Sequence, residues 1–107
     1  MSTPKEGAIP YQFRQWFIPE RMMGGITRYV EQGIPPGDFL TAIIENNLSE
    51  AIGRADDENM ANIPAYCAYF YNEAPSPCWG SPAKRRAWLT MKAEERAARE
   101  DAKEPQP

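Results

Sequence analysis

The sequence has no histidine, only two cysteines and no long run of apolar residues. Without histidine, the chain cannot form Ser–His or Cys–His catalytic pairs, and it lacks a ligand found in most zinc and iron sites. The two thiols, Cys67 and Cys78, match neither a CxxC redox pair nor a zinc framework, so we expect reduced, packed thiols. We therefore expect a protein that is not an enzyme and holds no metal or cofactor.

The sequence also lacks a net positive charge and a candidate membrane-spanning segment. Twelve Lys and Arg against fifteen Asp and Glu leave a net charge of −3, which argues against a dedicated nucleic-acid-binding protein. No apolar stretch approaches the roughly 18–20 residues of a transmembrane helix. Because the N-terminal residues contain no apolar signal core, we expect a cytoplasmic protein. The length of 107 residues fits a single domain.

Apolar residues recur at helical spacing along most of the chain. Prolines, glycines and acidic residues divide it into predicted helices at about 19–33, 38–55 and 56–74, and from 82 onwards. Pro64 interrupts the third helical stripe and should kink that helix. With no convincing strand, the predicted fold is all-α, a compact bundle of three to four helices.

The two ends of the chain differ from this central domain, which we place at 11–91. Residues 1–10 lack periodicity and are predicted to be flexible, and residues 92–107 are predicted to form a solvated, charged C-terminal helix and tail. The first residues of the domain form an aromatic arm that should lie in extended form across the domain or a neighbouring subunit. This arm is predicted to be interface, through Tyr11, Phe13, Trp16 and Phe17.

Arginines, amides and aromatic residues near the predicted helix ends form a candidate ligand site. Arginine side chains can hold a phosphate or carboxylate with two hydrogen bonds, and aromatic rings can stack on a base. The alternative for the arginines is an ordinary surface ion pair, which is common and weak. The candidate ligand-binding residues are Arg28, Asn47, Arg54, Asn59, Tyr71 and Trp79.

Two further groups are candidate contact surfaces. Tyr66 and Tyr69 lie beside the apolar stripe of the third helix, where they either form an interface or pack against the aromatic arm. Lys84, Arg85 and Arg86 form a basic patch close to two tryptophans. This patch either binds phosphates or is a solvated helix surface.

The blocks GIPPGDFLTAIIENNLSEAIGRADDEN (33–59) and YNEAPSPCWGSP (71–82) together resemble a family of small proteins of tailed bacteriophages and prophages. The resemblance covers residues 29–88. It implies an origin rather than a mechanism: an intracellular protein made during infection or carried in a prophage. Small non-catalytic phage proteins of this kind commonly act by occupying a host enzyme, a defence protein or a nucleotide signal.

Three functional hypotheses follow. The first is an oligomeric counter-defence protein that binds and sequesters a nucleotide-derived immune signal of the infected bacterium. The second is an inhibitor that binds a host or defence protein, and the third is a DNA-associated accessory factor. Self-association is expected because about 107 residues of thin helices bury only a marginal core. No membrane partner is expected.

Overall fold

The structure, a computed structural model, describes the backbone of residues 11–103 and the side chains of residues 11–100. This part of the chain is mostly helical, and it contains one small β-hairpin. The predicted flexible segment, residues 1–10, and the last residues of the predicted tail lie outside the described residues. No helix in the described range is long and apolar enough to cross a membrane.

More helices are present than the predicted three to four, because two of the predicted helices are each divided in two. The elements follow one another in this order: β1 (Tyr11–Phe13), β2 (Trp16–Ile18), α1 (Glu20–Thr27), a π-helical turn (Arg28–Gln32), α2 (Asp38–Ile44), α3 (Leu48–Arg54), α4 (Asp57–Ala61), α5 (Ile63–Asn72), a 3₁₀ turn (Ser76–Cys78) and α6 (Pro82–Lys103).

The aromatic arm forms a β-hairpin, so the prediction of an all-α chain without strands is wrong at this point. Strands β1 and β2 are antiparallel, and a two-residue turn connects Phe13 to Trp16. Arg14, in the turn, has a φ of 56°, in the left-handed region where glycine or asparagine is usual. The turn therefore carries no sequence signal, and the alternating aromatic residues alone do not reveal it.

Asparagines divide the two long predicted helices. Asn46 takes a φ of 61° and ends α2, and the Asn47 side chain accepts the N–H of Glu50 at 3.2 Å to begin α3. Asn62 separates α4 from α5 and donates its side-chain amide to the carbonyl of Glu58 at 2.9 Å. Pro64 then lies in the first turn of α5, where it needs no N–H partner, so it does not kink a continuous helix as predicted.

Several predicted helix ends are confirmed. Asp56 accepts the N–H of Asn59 at 2.8 Å and caps α4, and Ser81 accepts the N–H of Lys84 at 3.1 Å at the start of α6. Gly33 ends the π-helical turn with a φ of 68°. A side chain at Gly33 would collide with Lys92, because α6 crosses the chain directly against this glycine.

A set of hydrogen bonds, which we call the α6 junction, attaches α6 to the domain. The Tyr29 hydroxyl donates to the carbonyl of Cys78 at 2.7 Å, and the Trp88 indole donates to the carbonyl of Tyr29 at 3.1 Å. Arg85 pairs with Glu45 at 2.5 Å, with both side chains about four-fifths buried. The junction therefore joins α6 to the π-helical turn and to the end of α2.

The first residues of the predicted solvated tail also contact the domain. The Lys92 ammonium lies 5.1 Å from the centre of the Trp88 ring, and Arg96 donates to the carbonyl of Gln32. Helix α6 is continuous from Pro82 to Lys103. Thus the domain does not end sharply at residue 91, and its contacts with α6 extend at least to Arg96.

Candidate functional site

Helix α5 has no charged residue in its ten positions, IPAYCAYFYN. One face belongs to the core, through Ile63, Tyr66 and Phe70, which are buried. The opposite face includes Cys67 and Tyr71, four residues apart, and both are exposed. A helix that is apolar all round is normally buried all round, so this exposed face is unusual for its composition.

An open groove runs along this face of α5, and we call it the aromatic groove. The hairpin contributes one wall, and the segment after the 3₁₀ turn contributes another. The groove has a volume of about 410 Å³, and none of its lining side chains is charged. The lining residues are Phe13, Pro64, Cys67, Ala68, Tyr71, Asn72 and Trp79.

The core holds the aromatic walls of the groove in place. Trp79 packs against the buried Phe70, with ring centres 6.1 Å apart, and Phe13 stacks on Trp16 at 6.3 Å. Tyr71 differs from these residues because it is 79% exposed. The groove thus has two supported aromatic rings and one that is free to meet a ligand.

The apolar surface continues beyond the groove. Cys67 also lines a smaller neighbouring pocket at the start of α3, together with Asn47 and Leu48. Leu48 is 59% exposed. Monomeric proteins rarely expose large contiguous apolar patches without a binding function. The apolar surface formed by the aromatic groove and the neighbouring pocket with Leu48 is therefore the best candidate for a functional site among the described residues.

A cation lies beside one wall of the groove. The guanidinium of Arg14 lies 5.0 Å from the centre of the Phe13 ring. Glu73, which follows the last turn of α5, is exposed and does not line the groove. The electrostatic character of the groove is therefore apolar with a positive edge.

The structure brings only part of the predicted ligand site together. Tyr71 and Trp79 both line the groove, and Asn47 lies in the neighbouring pocket, where its side-chain oxygen caps α3. Asn59 is buried and accepts the Tyr66 hydroxyl at 2.5 Å, so its predicted role as a ligand-binding residue is not compatible with its position.

The two predicted phosphate-binding arginines do not line the groove. Arg54 pairs with Asp38 at 3.3 Å and with Glu50 at 3.4 Å, which is the surface ion pairing that we gave as the alternative. Arg28 is exposed, and its guanidinium lies beside Gly24 on α1. The predicted combination of arginines, amides and aromatic rings is thus not assembled around one cavity.

The predicted interface residues have different positions. Tyr66 is fully buried, so its prediction as a contact surface is wrong, and burial raises its pKa above the ordinary tyrosine range. Tyr69 is half-buried and packs edge-on against Tyr11, with ring centres 5.3 Å apart. The predicted alternative, packing against the aromatic arm, therefore holds for Tyr69. Phe17 donates its backbone N–H to Asn62 at 2.9 Å.

The predicted basic patch is divided. Arg85 turns inward to its ion pair with Glu45, whereas Lys84 and Arg86 are exposed. Two exposed cations remain on this turn of α6. They form a smaller basic surface than the three-residue run that the sequence indicates.

The acidic run at the start of α4 is also accounted for by local contacts. Asp56 and Glu58 both pair with Arg21, at 3.0 and 2.9 Å. The hydrogen bond from the Asn59 N–H, helped by Arg21, lowers the pKa of Asp56. Among the described residues, no group of three acidic or cysteine side chains could hold a metal ion.

Sequence reasoning missed Pro64, Cys67, Ala68 and Leu48 as parts of the site. The signal that could have found them is the absence of charge along α5, because such a helix is expected to be covered on every side. The chain matches no known protein family, no curated protein and no solved structure.

Proposed function

We propose that the protein is a non-enzymatic binding protein that occupies a site on another protein through the aromatic groove. The observation that carries this proposal is the exposed apolar face of the uncharged helix α5, beside Phe13 and Trp79. Aromatic residues are enriched at protein interfaces, and charged residues are depleted from the interface core. A groove with uncharged lining and three aromatic rings has this composition.

The resemblance to small phage proteins indicates where the partner would be found. A protein of this origin acts inside an infected bacterium, so the proposed partner is a host or defence protein. Binding would block that partner by covering its surface. The groove fits this role because supported aromatic side chains are frequent centres of binding energy.

The test is a pull-down from bacterial extract with the tagged full chain and two variants. Tyr71→Ala removes the most exposed ring of the groove, and Met60→Ala removes a 42% exposed apolar side chain that does not line it. We expect the wild-type chain and Met60→Ala to retain the same protein and Tyr71→Ala to lose it. Equal retention by all three chains would contradict the proposal.

A nucleotide-derived immune signal is the second candidate ligand, favoured by one observation. Tyr71 and Trp79, the two predicted stacking residues, line the same groove. Its volume of about 410 Å³ is also within the range of small-molecule sites, about 300–1,000 Å³. However, the groove lining includes no arginine or lysine to hold phosphates, which is why this candidate comes second.

Thermal unfolding with a panel of cyclic and linear nucleotides separates the two candidates. Sequestration of a signal predicts a Tm increase of several degrees with one nucleotide, and loss of that increase in Tyr71→Ala. No increase across the panel would exclude this second candidate. Native mass determination on the same samples reports the predicted self-association directly.

A further inference from the structure

The outer edge of β1 presents main-chain groups that pair with none of the described residues. Gln12 pairs with Phe17 in the hairpin, and the Phe17 N–H donates to the Asn62 side chain instead of to β1. Residue pairs in an antiparallel ladder alternate between hydrogen-bonded and non-hydrogen-bonded pairs. Gln12 and Phe17 thus form a non-hydrogen-bonded pair, and the N–H and C=O of Gln12 point away from β2.

The two edges of the hairpin have different neighbours. The outer edge of β2 meets Asn62 at the start of α5, and the hydrogen bond to Phe17 closes it. Strand β1 contributes Phe13 to the aromatic groove, whose other residues include Tyr71 and Asn72 in the last turn of α5. Because Phe13 directly follows Gln12 in the chain, the main chain of β1 lies beside this wall of the groove.

We propose that the groove binds an extended segment of the partner protein, which adds to β1 as a third strand. This inference rests on the proposed function and specifies the chemistry of its partner. An added strand would lie about 4.8 Å from β1. It would place alternate apolar side chains in the groove, while its main chain pairs with Gln12.

The need to satisfy buried backbone groups favours a strand over a helix in the groove. A partner that covers the groove also removes water from the neighbouring edge of β1. A bound helix has its own backbone groups paired internally, so it would leave the N–H and C=O of Gln12 buried without partners. An extended segment supplies the missing donor and acceptor.

The charge beside the groove specifies the partner segment further. The Arg14 guanidinium lies over the Phe13 ring, which lines the groove, and the groove lining offers no carboxylate to neutralise it. An acidic residue in the partner segment would pair with this guanidinium. The partner segment therefore has alternating apolar residues with an aspartate or glutamate near one end.

A selection from a library of random seven-residue peptides, displayed on beads, tests this inference with the full chain as target. We expect the enriched peptides to have apolar residues at every second position and an acidic residue near one end. Apolar residues three and four positions apart would indicate a helix and overturn the inference. Enrichment of no peptide would overturn it too.

Two variants test the hydrogen bond and the charge separately on an enriched peptide. Gln12→Pro removes the outward N–H and the side-chain hydrogen bond from Gln12 to the Arg14 carbonyl, but no main-chain hydrogen bond between the two strands. Gln12→Thr is its matched control, because it removes the same amide side chain and keeps the main-chain N–H. We expect roughly tenfold weaker binding for Gln12→Pro and unchanged binding for Gln12→Thr. Arg14→Asn, which keeps a residue tolerant of positive φ, should weaken binding of acidic peptides only.

The outcomes distinguish this inference from the proposed function. Thermal unfolding of Gln12→Pro first establishes that the hairpin is intact, with a Tm near that of Gln12→Thr. If Tyr71→Ala loses a protein in the pull-down while Gln12→Pro retains it, the proposed function stands and strand addition is wrong. If Gln12→Pro changes only the oligomeric state of the chain, the edge joins two copies and the inference is also wrong.

Discussion

The α6 junction and the aromatic groove both contain tyrosine and tryptophan, but they differ in what these aromatic rings contact. In the junction, Tyr29 and Trp88 are buried, and each donates to a main-chain carbonyl. In the groove, Tyr71 is 79% exposed on a helix without charge. Aromatic content alone therefore does not identify a binding surface, whereas the partners of the rings do.

The two regions also differ in how well their side chains are shielded from solvent. Burial raises the pKa of Tyr29 above the ordinary tyrosine range, and it raises the pKa of Cys78 to about 11. Every buried side-chain N or O atom among the described residues has a hydrogen-bond partner. The polar groups of the junction are thus paired, whereas no element among the described residues covers the apolar face of the groove.

The largest expected difference between the two regions is in stability. Trp88→Ala should lower the free energy of unfolding by about 3–5 kcal/mol, because it leaves a large cavity and removes the indole hydrogen bond to the Tyr29 carbonyl. Tyr71→Ala should change it by less than about 0.5 kcal/mol. Urea unfolding of both variants measures the two values. Similar losses for the two variants would remove the distinction between junction and groove.

A smaller loss is expected from deleting one buried hydroxyl. Tyr66→Phe removes the donor to Asn59 and should destabilise the chain by about 1–3 kcal/mol, because a buried amide oxygen is left unpaired. Tyr71→Phe is the matched control at an exposed position and should be neutral. If chemical denaturation gives the same free energy of unfolding for Tyr66→Phe and for the wild-type chain, the hydrogen bond from the Tyr66 hydroxyl does not contribute to stability.

Alkaline pH should weaken the buried region. Tyr29 and Tyr66 have raised pKa values in the folded chain. Their contribution to stability is therefore fully present at pH values below the pKa of tyrosine in the unfolded chain, which is about 10. Above that pH the unfolded chain loses protons first, and stability falls by up to about 1.4 kcal/mol per pH unit for each tyrosine. Unfolding measured at pH 9–11.5 should show a smaller pH slope for Tyr29→Phe and for Tyr66→Phe than for the wild-type chain, and unchanged slopes in both variants would contradict this prediction.

The smallest perturbation is modification of a single thiol. Cys67 lies exposed in the groove and Cys78 is buried at the junction. A thiol reagent at pH 8 should therefore label Cys67 in the folded chain and reach Cys78 only after denaturation, as mass spectrometry with peptide mapping would show. Because burial raises the pKa of both thiols, labelling of Cys67 should accelerate with pH. Early labelling of Cys78 would mean that the junction opens.

Local chemistry made some of the fold predictable from the sequence. Asp56, Ser81 and Gly33 mark helix ends because a short side chain or a missing Cβ acts on the nearest backbone groups. Asn46 and Asn62 were missed as helix breaks, because an asparagine fits either a helix interior or a break, and tertiary packing decides which. The hairpin was missed because its turn uses Arg14 at a positive φ.

The candidate site was less predictable than the fold. Tyr71 and Trp79 were identified as candidate binding residues, but Tyr66, five positions before Tyr71 on the same helix, was placed at the surface although it is buried. Which face of an uncharged helix remains open depends on where the hairpin docks. The position of the hairpin on α5 depends on the packing of Tyr11 and Phe13 against residues distant in the sequence, and helical periodicity does not predict such contacts.

The π-helical turn at Arg28–Gln32 makes the chain sensitive to changes in its length. Deleting one residue from this turn would rotate the following residues by about 100° around the helix axis. Gly33 would then leave its place against Lys92, and a residue with a side chain would meet α6 there. Natural relatives and engineered variants should therefore conserve the number of residues between Tyr29 and Gly33 more strictly than their identities.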